Sequence, residues 1–501
     1  MAVNLKQFQN KNIHIVGISG MEGLAVWRFF KKHEIKITLH DFSENLEALK
    51  QSFFSFHDYL SESEKNKIWR DLESEKANIC LKEDYLKGIN ESDIIFVPQS
   101  WFRYPANKPL QELKGKVKFK QLTELYFENF TGTIIGVTGS SGKSTTANLI
   151  YHLIYGLRGK NVWLSGNDRH NPPVLLEIEK ANKNDLLILE ISNRQLIDLK
   201  YSPQIAVVTT LASTHLDDHK TFENYLAAKE NIVRYQTAND LAILNYDNQY
   251  VRDFANKTKA EVQWFGLNSG IGLSGAFLID EKLSFIFKQT QNLLAVENLP
   301  LPGVHNVLNA LAASLVARFL GVSNRVISQN LLQFKGLEHR LELIAEFKGT
   351  KFYNDTQATN PEAAKAAIEA FPQKEKIVIA GGKKKDNPAD FKPWLKSLFK
   401  NKVKVLLLIG EAEDQIVAEL KKINSKTRPN FGSGRIPFLV KKCQNMEAAV
   451  KEAFVQTKSD GIVLMSPACE SFGEFTDYRE RGEKFKTEVE KQIRNLFIIQ
   501  N

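Results

Sequence analysis

The sequence has few cysteines and no long apolar run. Its three cysteines, Cys80, Cys443 and Cys469, form neither a CxxC pair nor a metal-ligand spacing. This spacing excludes a disulfide scaffold and a cysteine-based zinc site, and we expect free thiols in a reducing cytoplasm. No apolar stretch reaches the roughly 18 residues of a membrane-spanning helix. The first residues, MAVNLKQFQNKNIHIVG, lack the apolar core and cleavage site of a secretory signal.

Neither sign of charge dominates the chain. Lysine and arginine number 67 against 58 aspartates and glutamates, which leaves a net charge of +9. Nucleic-acid binding is one interpretation of a basic protein. The lysines are spread along the chain, however, with only short clusters such as Lys383-Lys384-Lys385. We therefore favour solvated faces together with a site for a polyanionic small molecule, and we expect neither nucleic acid nor a membrane as partner.

The length and the order of apolar runs predict an α/β protein of three domains. A chain of 501 residues is too long for one core and corresponds to roughly three domains of about 150 residues. Strand-like runs alternate with helix-like stretches in three successive series, which is typical of mostly parallel sheets covered on both faces. The predicted domains cover residues 1–130, 131–336 and 337–501.

The strand predictions follow short apolar runs that end in glycine, proline or polar residues. In the first domain, the polar, helical segment 45–90 is interpreted as an insertion. In the second, residues 261–300 alternate like β-hairpins, and residues 307–321 form a helix that ends at Gly321. The predicted strands are NIHIVG, KITLHD, SDIIFV, TIIGVTG, DLLILEIS, IAVVTTLAS, LAILNYD, KFYNDT, KIVIAGG, KVLLLIG and GIVLMSPA.

The stretch GTIIGVTGSSGKSTTANLI (132–150) predicts a phosphate-binding loop. A strand runs into a glycine-punctuated turn, then Lys143 and a helix, so that backbone N–H groups and the helix dipole face an anion. Lys143 supplies a cation for the terminal phosphates, and the Ser144 hydroxyl is suited to Mg²⁺. The loop is a short form, T-G-x-x-G-K-S, because Val137 stands where the full pattern has its first glycine. The predicted loop residues are Gly139, Ser140, Ser141, Gly142, Lys143, Ser144 and Thr145.

A weaker glycine pattern, GISGMEG, occupies residues 17–23. Its GxxGxxG spacing differs from the GxGxxG of dinucleotide sites, so a ligand-free βα turn is as good an interpretation. Asp41 ends the next predicted strand, where an acid can bind a ribose hydroxyl.

Polar side chains also collect where the later predicted strands end. Glu190 ends LLILE, His215 follows IAVVTTLA, and Lys229 lies in YLAAKENI. Because the carboxyl ends of parallel strands face one crevice, these groups are candidates for a metal–nucleotide centre around Lys143. Each has a plain alternative, namely a hydrogen-bonded structural histidine or a solvated helix lysine.

Several of these stretches occur in the order found in one enzyme family. The chain resembles the Mur ligases of peptidoglycan synthesis, and among them the members that add glutamate; the likeness is good over residues 130–490 and loose before them. It is carried by TGSSGKSTT, LEISNRQL, THLDDH, YLAAKENI, LPGVHNVLNALAA, GLEHRLE, NDTQATNPEA, IAGGKKKDNPADF and SPACESFGEFTDYRERGEKF.

The resemblance implies a Rossmann-like UDP-binding domain, a central ATPase domain and a Rossmann-like domain for the amino acid. It implies that ATP and Mg²⁺ drive amide formation between UDP-N-acetylmuramoyl-L-alanine and glutamate, with D-glutamate favoured, through an acyl phosphate. The expected enzyme is a cytoplasmic monomer acting on small molecules.

The resemblance also assigns roles to individual residues. Lys143 and Ser144 would hold phosphates and one Mg²⁺, Glu190 and His215 would bind a second Mg²⁺, and Lys229 would carry a carbamate. Contacts to ATP are implied for Asn306, Asn309, Arg340 and Asp355; to the UDP substrate for Ser19, Gly20, Asp41, Asn167 and Gln195; and to glutamate for Thr359, Lys385, Ser471, Phe472 and Tyr478.

Some positions depart from the family pattern. Gln357 stands where a lysine is usual, Arg194 replaces an aromatic residue, and residues 168–170 replace an apolar continuation. VPQSWFRYPANKP replaces the usual S-P-G loop after the fourth strand. Most departures lie on the UDP-sugar side. A different acceptor or amino acid, a folylpolyglutamate-type ligase and a non-catalytic nucleotide-binding regulator therefore stay open as alternatives.

Overall fold

The computed structural model describes residues 5–166, 170–212, 216–219, 221–384, 390–427, 436–457, 459–471 and 473–500. The chain divides into two compact units. One comprises Met1–Val296 and Leu308–Leu331, and the other comprises Glu297–Val307 and Leu332–Asn501. The first unit holds two sheets and the second holds one. The predicted α/β class with mostly parallel sheets is confirmed. The exact domain boundaries stay a prediction.

The first sheet is fully parallel, with strand order β3-β2-β1-β4-β5. Its strands are β1 (Ile13–Val16), β2 (Thr38–His40), β3 (Ile79–Cys80), β4 (Ile94–Phe96) and β5 (Lys118–Lys120). The accompanying helices are α1 (Met21–Lys32), α2 (Leu46–Phe56), α3 (Glu62–Glu73), α4 (Lys108–Leu113) and α5 (Leu122–Asn129). The segment 45–90 is mostly helical, as predicted, but it also contributes the edge strand β3.

The glycines of GISGMEG allow strand β1 to pack closely on helix α1. A Cβ on Gly23 would lie 2.3 Å from the carbonyl oxygen of Gly17, and Gly17 has a φ of +75°. A side chain at either position would be strained, since both the backbone conformation and the available space favour glycine. The glycine pattern is therefore explained by the close packing of the turn between β1 and α1, whether or not a ligand binds there.

The second sheet has nine strands in the order β14-β13-β12-β11-β10-β9-β6-β8-β7. They are β6 (Thr133–Thr138), β7 (Val162–Ser165), β8 (Leu186–Glu190), β9 (Ile205–Val208), β10 (Leu241–Asn245), β11 (Glu261–Gly266), β12 (Gly275–Ile279), β13 (Lys282–Ile286) and β14 (Thr290–Ala295). The associated helices are α6 (Lys143–Ile154), α7 (Asn193–Leu196), α8 (Leu216–His219), α9 (Phe222–Arg234), α10 (Gln249–Arg252), α11 (Val304–Phe319) and α12 (Asn324–Gln333).

The hairpin prediction for residues 261–300 is only partly right. β12, β13 and β14 form an antiparallel meander, but β11 pairs in parallel with β10 and β12. Helix α11 begins at Val304 and ends at Phe319, close to the predicted Gly321. Gly321 adopts a φ of +88°, and its N–H donates to the carbonyl of Arg318, which closes the helix end.

The third sheet, in the second unit, has the order β15-β16-β20-β17-β18-β19, with only the β15–β16 pair antiparallel. Its strands are β15 (Glu342–Phe347), β16 (Thr350–Asn354), β17 (Lys376–Gly381), β18 (Val403–Ile409), β19 (Leu439–Lys442) and β20 (Ile462–Met465). Its helices are α13 (Pro361–Glu369), α14 (Lys392–Lys400), α15 (Glu413–Thr427), α16 (Met446–Gln456) and α17 (Tyr478–Gln500). Within the described residues, no helix combines the length and apolarity needed to cross a membrane.

Candidate active site

The predicted phosphate loop lies between β6 and α6, at the carboxyl edge of the second sheet. Its two glycines are required by close neighbours. A Cβ on Gly139 would lie 1.9 Å from Oγ1 of Thr209, and one on Gly142 would lie 2.5 Å from Oδ1 of Asn309. Asn309 in turn accepts a hydrogen bond from the Thr146 hydroxyl at 3.1 Å. Asn309, assigned to ATP by resemblance, is thus adjacent to the loop.

Further hydrogen bonds hold the loop in shape. The Ser140 hydroxyl lies 2.6 Å from the Tyr225 hydroxyl, and the Thr209 hydroxyl donates to the carbonyl of Ser141 at 2.5 Å. The Lys143 ammonium donates to the carbonyl of Gly139 at 3.1 Å, so its side chain folds back over the loop. Ser144, the next residue, is buried in the first turn of α6. These contacts preorganise the loop for an anion.

Lys229 of helix α9 is a buried lysine beside the phosphate loop. It is 1% exposed, and its Nζ donates to the Thr138 hydroxyl at 2.8 Å; that hydroxyl donates onward to the carbonyl of Ile191. Burial lowers the pKa of Lys229 well below its usual range, and the nearby Lys143 cation lowers this pKa further, while Glu190 opposes the shift. The geometry and the pKa shift together favour a neutral amine at position 229.

Glu190 ends β8, which pairs in parallel with β6, so that Glu190 lies beside Val137 just before the phosphate loop. It is 8% exposed. Since Glu190 and Lys143 both act electrostatically on Lys229, these three predicted residues share one region of the first unit. His215, predicted to join them, lies outside the described residues, as do Asn167, Lys385 and Phe472.

The donors at this region suit Mg²⁺, which prefers carboxylate, hydroxyl and phosphate oxygens. Ser144 offers a hydroxyl and Glu190 a carboxylate. In the described part of the chain, no three His, Cys, Asp or Glu side chains form a preassembled metal cluster. A metal here would therefore take oxygen ligands from a bound nucleotide as well as from the protein.

Two neighbouring residues were missed by the sequence predictions. His219 is buried, its Nε2 lies 2.7 Å from Nδ2 of Asn193, and its ring meets that of Tyr225 edge-on. Burial lowers the pKa of His219, which favours the neutral imidazole. Asp218 accepts hydrogen bonds from arginines. Both residues stand in the motif THLDDH, whose first histidine alone was singled out.

Asp41, predicted to contact the UDP substrate, is occupied by protein donors. Its Oδ2 accepts from the N–H and hydroxyl of Ser19 at 3.0 and 2.7 Å, and its Oδ1 accepts from the N–H and hydroxyl of Ser43 at 3.1 and 2.7 Å. The buried His57 also contacts the carbonyl of Ser19 through Nε2 at 3.0 Å. In this arrangement Asp41 holds the turn that contains Ser19 and Gly20.

Gln195, also predicted on the UDP side, links the first two sheets. Its Nε2 donates to Glu22 of α1 at 3.2 Å, and Glu22 also accepts from the N–H of Gln99 at 2.7 Å. Ser192 donates to the side-chain oxygen of Gln99 at 2.6 Å. Burial raises the pKa of Glu22 to about 7. The predicted substrate side is therefore a hydrogen-bonded junction between α1, the segment after β4, and α7.

The second unit carries the other predicted ATP contacts. Asp355 is buried after β16 and accepts from the Ser466 hydroxyl at 2.8 Å and the N–H of Leu341 at 3.2 Å. Burial raises its pKa to about 7. Arg340 donates through Nε to the side-chain oxygen of Gln357, so the residue that departs from the family pattern contacts a predicted phosphate ligand. Asn306 donates to the carbonyl of Pro302 at 2.8 Å, which is a helix-start contact.

The residues predicted to bind glutamate lie on loops of the same unit. Ser471 is buried, Thr359 is half-buried just before α13, and Tyr478 begins α17. The Tyr478 ring meets His339 edge-on at 5.9 Å between centroids. These three described residues follow strands β16 and β20, at the carboxyl edge of the third sheet.

Arg481, a further residue missed by the sequence predictions, ties these loops together. It is fully buried, and its guanidinium donates to the carbonyls of Thr356, Gly381 and Cys469 at 3.1, 3.4 and 3.0 Å. The carbonyl of Gly381 ends β17, and those of Thr356 and Cys469 lie in the loops after β16 and β20. Burial lowers the pKa of Arg481 to about 10, and it stays protonated at neutral pH.

We expect Arg481→Ala to lower the free energy of unfolding by about 3 kcal/mol, because three buried carbonyls lose their donor. Urea titration followed by circular dichroism measures this loss. Arg494→Ala, on an exposed part of α17, is the matched control and should change stability by less than about 0.5 kcal/mol. Equal stability of the two variants would contradict the tethering role.

Comparisons with known proteins identify the family. Residues 137–317 match the Mur ligase middle domain, and residues 339–469 match the Mur ligase, glutamate ligase domain. A UDP-N-acetylmuramoylalanine–D-glutamate ligase of Acetivibrio thermocellus is 38% identical over 81% of this chain and 84% of its own length. A Clostridium botulinum protein of the same name is 30% identical over 98% of this chain and 99% of its own length.

The fold agrees with this result. The crystal structure of a UDP-N-acetylmuramate–alanine ligase from Thermotoga maritima covers 96% of this chain and all of its own, with a TM-score of 0.55 at 16% identity. The phosphate loop at the carboxyl edge of the second sheet, beside the buried Lys229, is the candidate nucleotide site of this fold. The chain belongs to the Mur ligase family. The predicted family and enzyme class, an ATP-dependent ligase of peptidoglycan synthesis, are thus confirmed.

Proposed function

We propose that this chain joins D-glutamate to UDP-N-acetylmuramoyl-L-alanine at the expense of ATP, in the cytoplasm. The names of the full-length relatives support the two substrates. The observation that carries the proposal is the convergence of Lys143, Glu190 and the buried Lys229 at one phosphate loop. The three cysteines are free thiols, in agreement with a reducing compartment.

In the proposed reaction, an oxygen of the acceptor's alanine carboxylate attacks the γ-phosphorus of ATP. The bond between γ-phosphorus and the bridging oxygen breaks, which releases ADP and leaves an acyl phosphate. The glutamate amine then attacks the carbonyl carbon, the carbon–oxygen bond to phosphate breaks, and the amine loses a proton. Two anions must approach in the first step, so cations are needed to offset their repulsion.

The residues of the first unit divide this task. The backbone of residues 139–145 would cradle the phosphates, and Lys143 would neutralise charge that develops on the transferred group. Asn309 supports the loop at Gly142. In the second unit, Asn306, Arg340 and Asp355 are the proposed further nucleotide contacts.

Mg²⁺ would be held by the Ser144 hydroxyl, Glu190 and His215, and when bound it supplies positive charge to the phosphate oxygens. Lys229 is suited to carbamylation, because only a neutral amine attacks CO₂. The product, N-carboxy-lysine, carries a negative charge and releases one proton, which turns a potential cation into a further oxygen donor.

The three sheets provide the proposed division of substrates. Residues 1–130 would bind the UDP-sugar near Ser19, Gly20 and Asp41, with Asn167 and Gln195 from the central domain. Residues 131–336 would bind ATP, and residues 337–501 would bind glutamate through Thr359, Lys385, Ser471, Phe472 and Tyr478. Asp41 acts here by holding the Ser19 turn. We propose that the chain works as a monomer.

The test is the mass of the product formed from acceptor, ATP and separately supplied D- and L-glutamate, with phosphate release across a panel of amino acids. We expect one product, with D-glutamate. If phosphate is released only with L-glutamate or another amino acid, D-glutamate is not the substrate. If phosphate is released only with a folate acceptor, the proposed UDP-sugar acceptor is wrong. No release under any condition would favour a non-catalytic nucleotide-binding regulator.

A further inference from the structure

Two departures from the family pattern meet at one carboxylate. Arg103 lies in the altered segment after β4, and Arg194 replaces an aromatic residue in α7. Asp218 of α8 accepts from both: its Oδ1 lies 3.1 Å from Nε of Arg103, and its Oδ2 accepts from Nε and Nη2 of Arg194, each at 2.8 Å. We name these three residues the Arg–Asp–Arg cluster. It joins the segment after β4 of the first sheet to two short helices of the second.

The cluster carries one net positive charge. The Asp218 side chain is only 3% exposed, whereas those of Arg103 and Arg194 are 48% and 21% exposed. A nearly buried carboxylate that accepts from two guanidinium groups restricts their rotamers at a fixed orientation. Arg103 is consequently a solvent-accessible cation, and its ion pair with the buried Asp218 fixes the orientation of its guanidinium group.

Arg103 follows β4, one of the two strands between which the strand order of the first sheet reverses. In an open parallel sheet, ligands bind outside the carboxyl ends of the strands, at the point where the strand order reverses. The order β3-β2-β1-β4-β5 reverses between β1 and β4. By this rule, we expect the ligand crevice between the turn after β1, which contains Ser19, and the segment after β4, which contains Arg103.

Among the described residues, the contacts around Glu22 involve uncharged donors. Glu22 accepts from Gln99 and Gln195, and Ser192 donates to Gln99, so these contacts are made by amide and hydroxyl donors. Burial raises the pKa of Glu22 to about 7, which indicates an environment that disfavours anions. A cation beside the crevice would stabilise a bound diphosphate, and the Arg–Asp–Arg cluster provides one.

We propose that Arg103 binds the diphosphate of the nucleotide-sugar acceptor, and that Asp218 and Arg194 position its guanidinium. The identity of the acceptor rests on the proposed function; the recognition of a nucleoside diphosphate does not. The cluster connects the altered segment after β4 with Arg194, since each supplies one of the two guanidinium groups that contact the Asp218 carboxylate.

The first experiment measures kcat and KM for acceptor, ATP and D-glutamate in variants. For Arg103→Ala we expect an increase of about tenfold in the acceptor KM, with kcat and the other two KM values within about twofold, because the lost contact is made equally in ground and transition states. Arg103→Lys keeps the charge but loses the planar guanidinium group that can donate two parallel hydrogen bonds, and it should raise the acceptor KM only about threefold. Asp218→Asn should resemble Arg103→Ala, and the double variant should be no worse than either single one.

Lys114→Ala is the matched control. Lys114 pairs with Asp198 at 2.7 Å, with side chains 50% and 64% exposed, and precedes β5, at the amino edge of the first sheet. Its loss should leave every kinetic constant within about twofold. An acceptor KM unchanged in Arg103→Ala, or equal increases in all three KM values, would overturn the positioning role and leave a purely structural ion pair.

The second experiment titrates UDP alone into the wild type and Arg103→Ala by calorimetry. We expect the variant to bind UDP about tenfold more weakly. If the wild type binds UDP but does not turn over the acceptor, the proposed reaction fails while the diphosphate site stands. If the wild type does not bind UDP, or if both proteins bind it equally, the inference about Arg103 is overturned even where the ligase reaction proceeds.

Discussion

Lys143→Ala should reduce ATP-dependent product formation at least about 10³-fold. The ammonium of Lys143 folds over the phosphate loop onto the carbonyl of Gly139. Lys229, the other described lysine beside the loop, is buried against Thr138, and burial lowers its pKa well below the usual range, so it is poorly suited to replace this charge. The acceptor carboxylate would then approach the γ-phosphate without the cation that offsets their repulsion. Phosphate release with saturating acceptor and D-glutamate measures the effect.

The matched control for this prediction is Lys160→Ala. Lys160 is an exposed lysine of the same unit that donates to the carbonyl of Asn184, away from the loop. Its removal should leave turnover within about twofold. Thermal unfolding of both variants shows whether a loss of activity comes from the missing cation or from a loss of folding stability. The Lys143 side chain is only partly buried, so its truncation should lower the stability little. Undiminished turnover in Lys143→Ala would refute the role of Lys143.

Lys229→Ala should be about 10²-fold less active than the wild type, and short carboxylic acids should raise the rate of the variant about tenfold. Lys229 is fully enclosed against Thr138 and the Tyr225 ring, so its truncation leaves space beside the phosphate loop. Acetate or formate in that space places a carboxylate where the carbamate of the wild type would lie. Initial rates at increasing acid concentration, at constant ionic strength, measure the recovery.

Lys376→Ala distinguishes this rescue from a general effect of the acids. Lys376 is also buried, and burial lowers its pKa to about 8, but it donates to the carbonyls of Lys374 and Asn401 in the third sheet. Acids should not raise the activity of Lys376→Ala. Normal rates of Lys229→Ala without added acid, or equal rescue of both variants, would exclude the carbamate.

Local order along the chain was enough to predict much of this protein. The phosphate loop is a set of consecutive residues, and glycines that allow close approach leave a recognisable spacing. Buried parallel strands appear as apolar runs, so the strands around the site were predicted where they occur. Glu190 and Lys229 were found because carboxyl ends of parallel strands face one crevice. The strands β3, β5, β7, β15 and β19 were missed; all five lie at sheet edges, and most of their residues are half-exposed or exposed.

The ionisation of the site was decided only by the tertiary structure. A lysine in YLAAKENI has no local feature that distinguishes a solvated side chain from a neutral one. Burial against Thr138 and the proximity of Lys143 make the difference at Lys229. In the same way, only the folded chain shows that Asp41, which directly follows strand β2, accepts four hydrogen bonds from Ser19 and Ser43. Its contact with the UDP substrate stays a prediction.

The amino-acid sequence by itself determined which residue types lie at the ends of the strands, and therefore the class of reaction. Only the folded chain decided which of those residues meet. Arg103, Arg194 and Asp218 are separated by long stretches of sequence, and no spacing connects them. Desolvation and charge pairing depend on distances of a few ångströms in space, and these are set by the packing of whole sheets and helices.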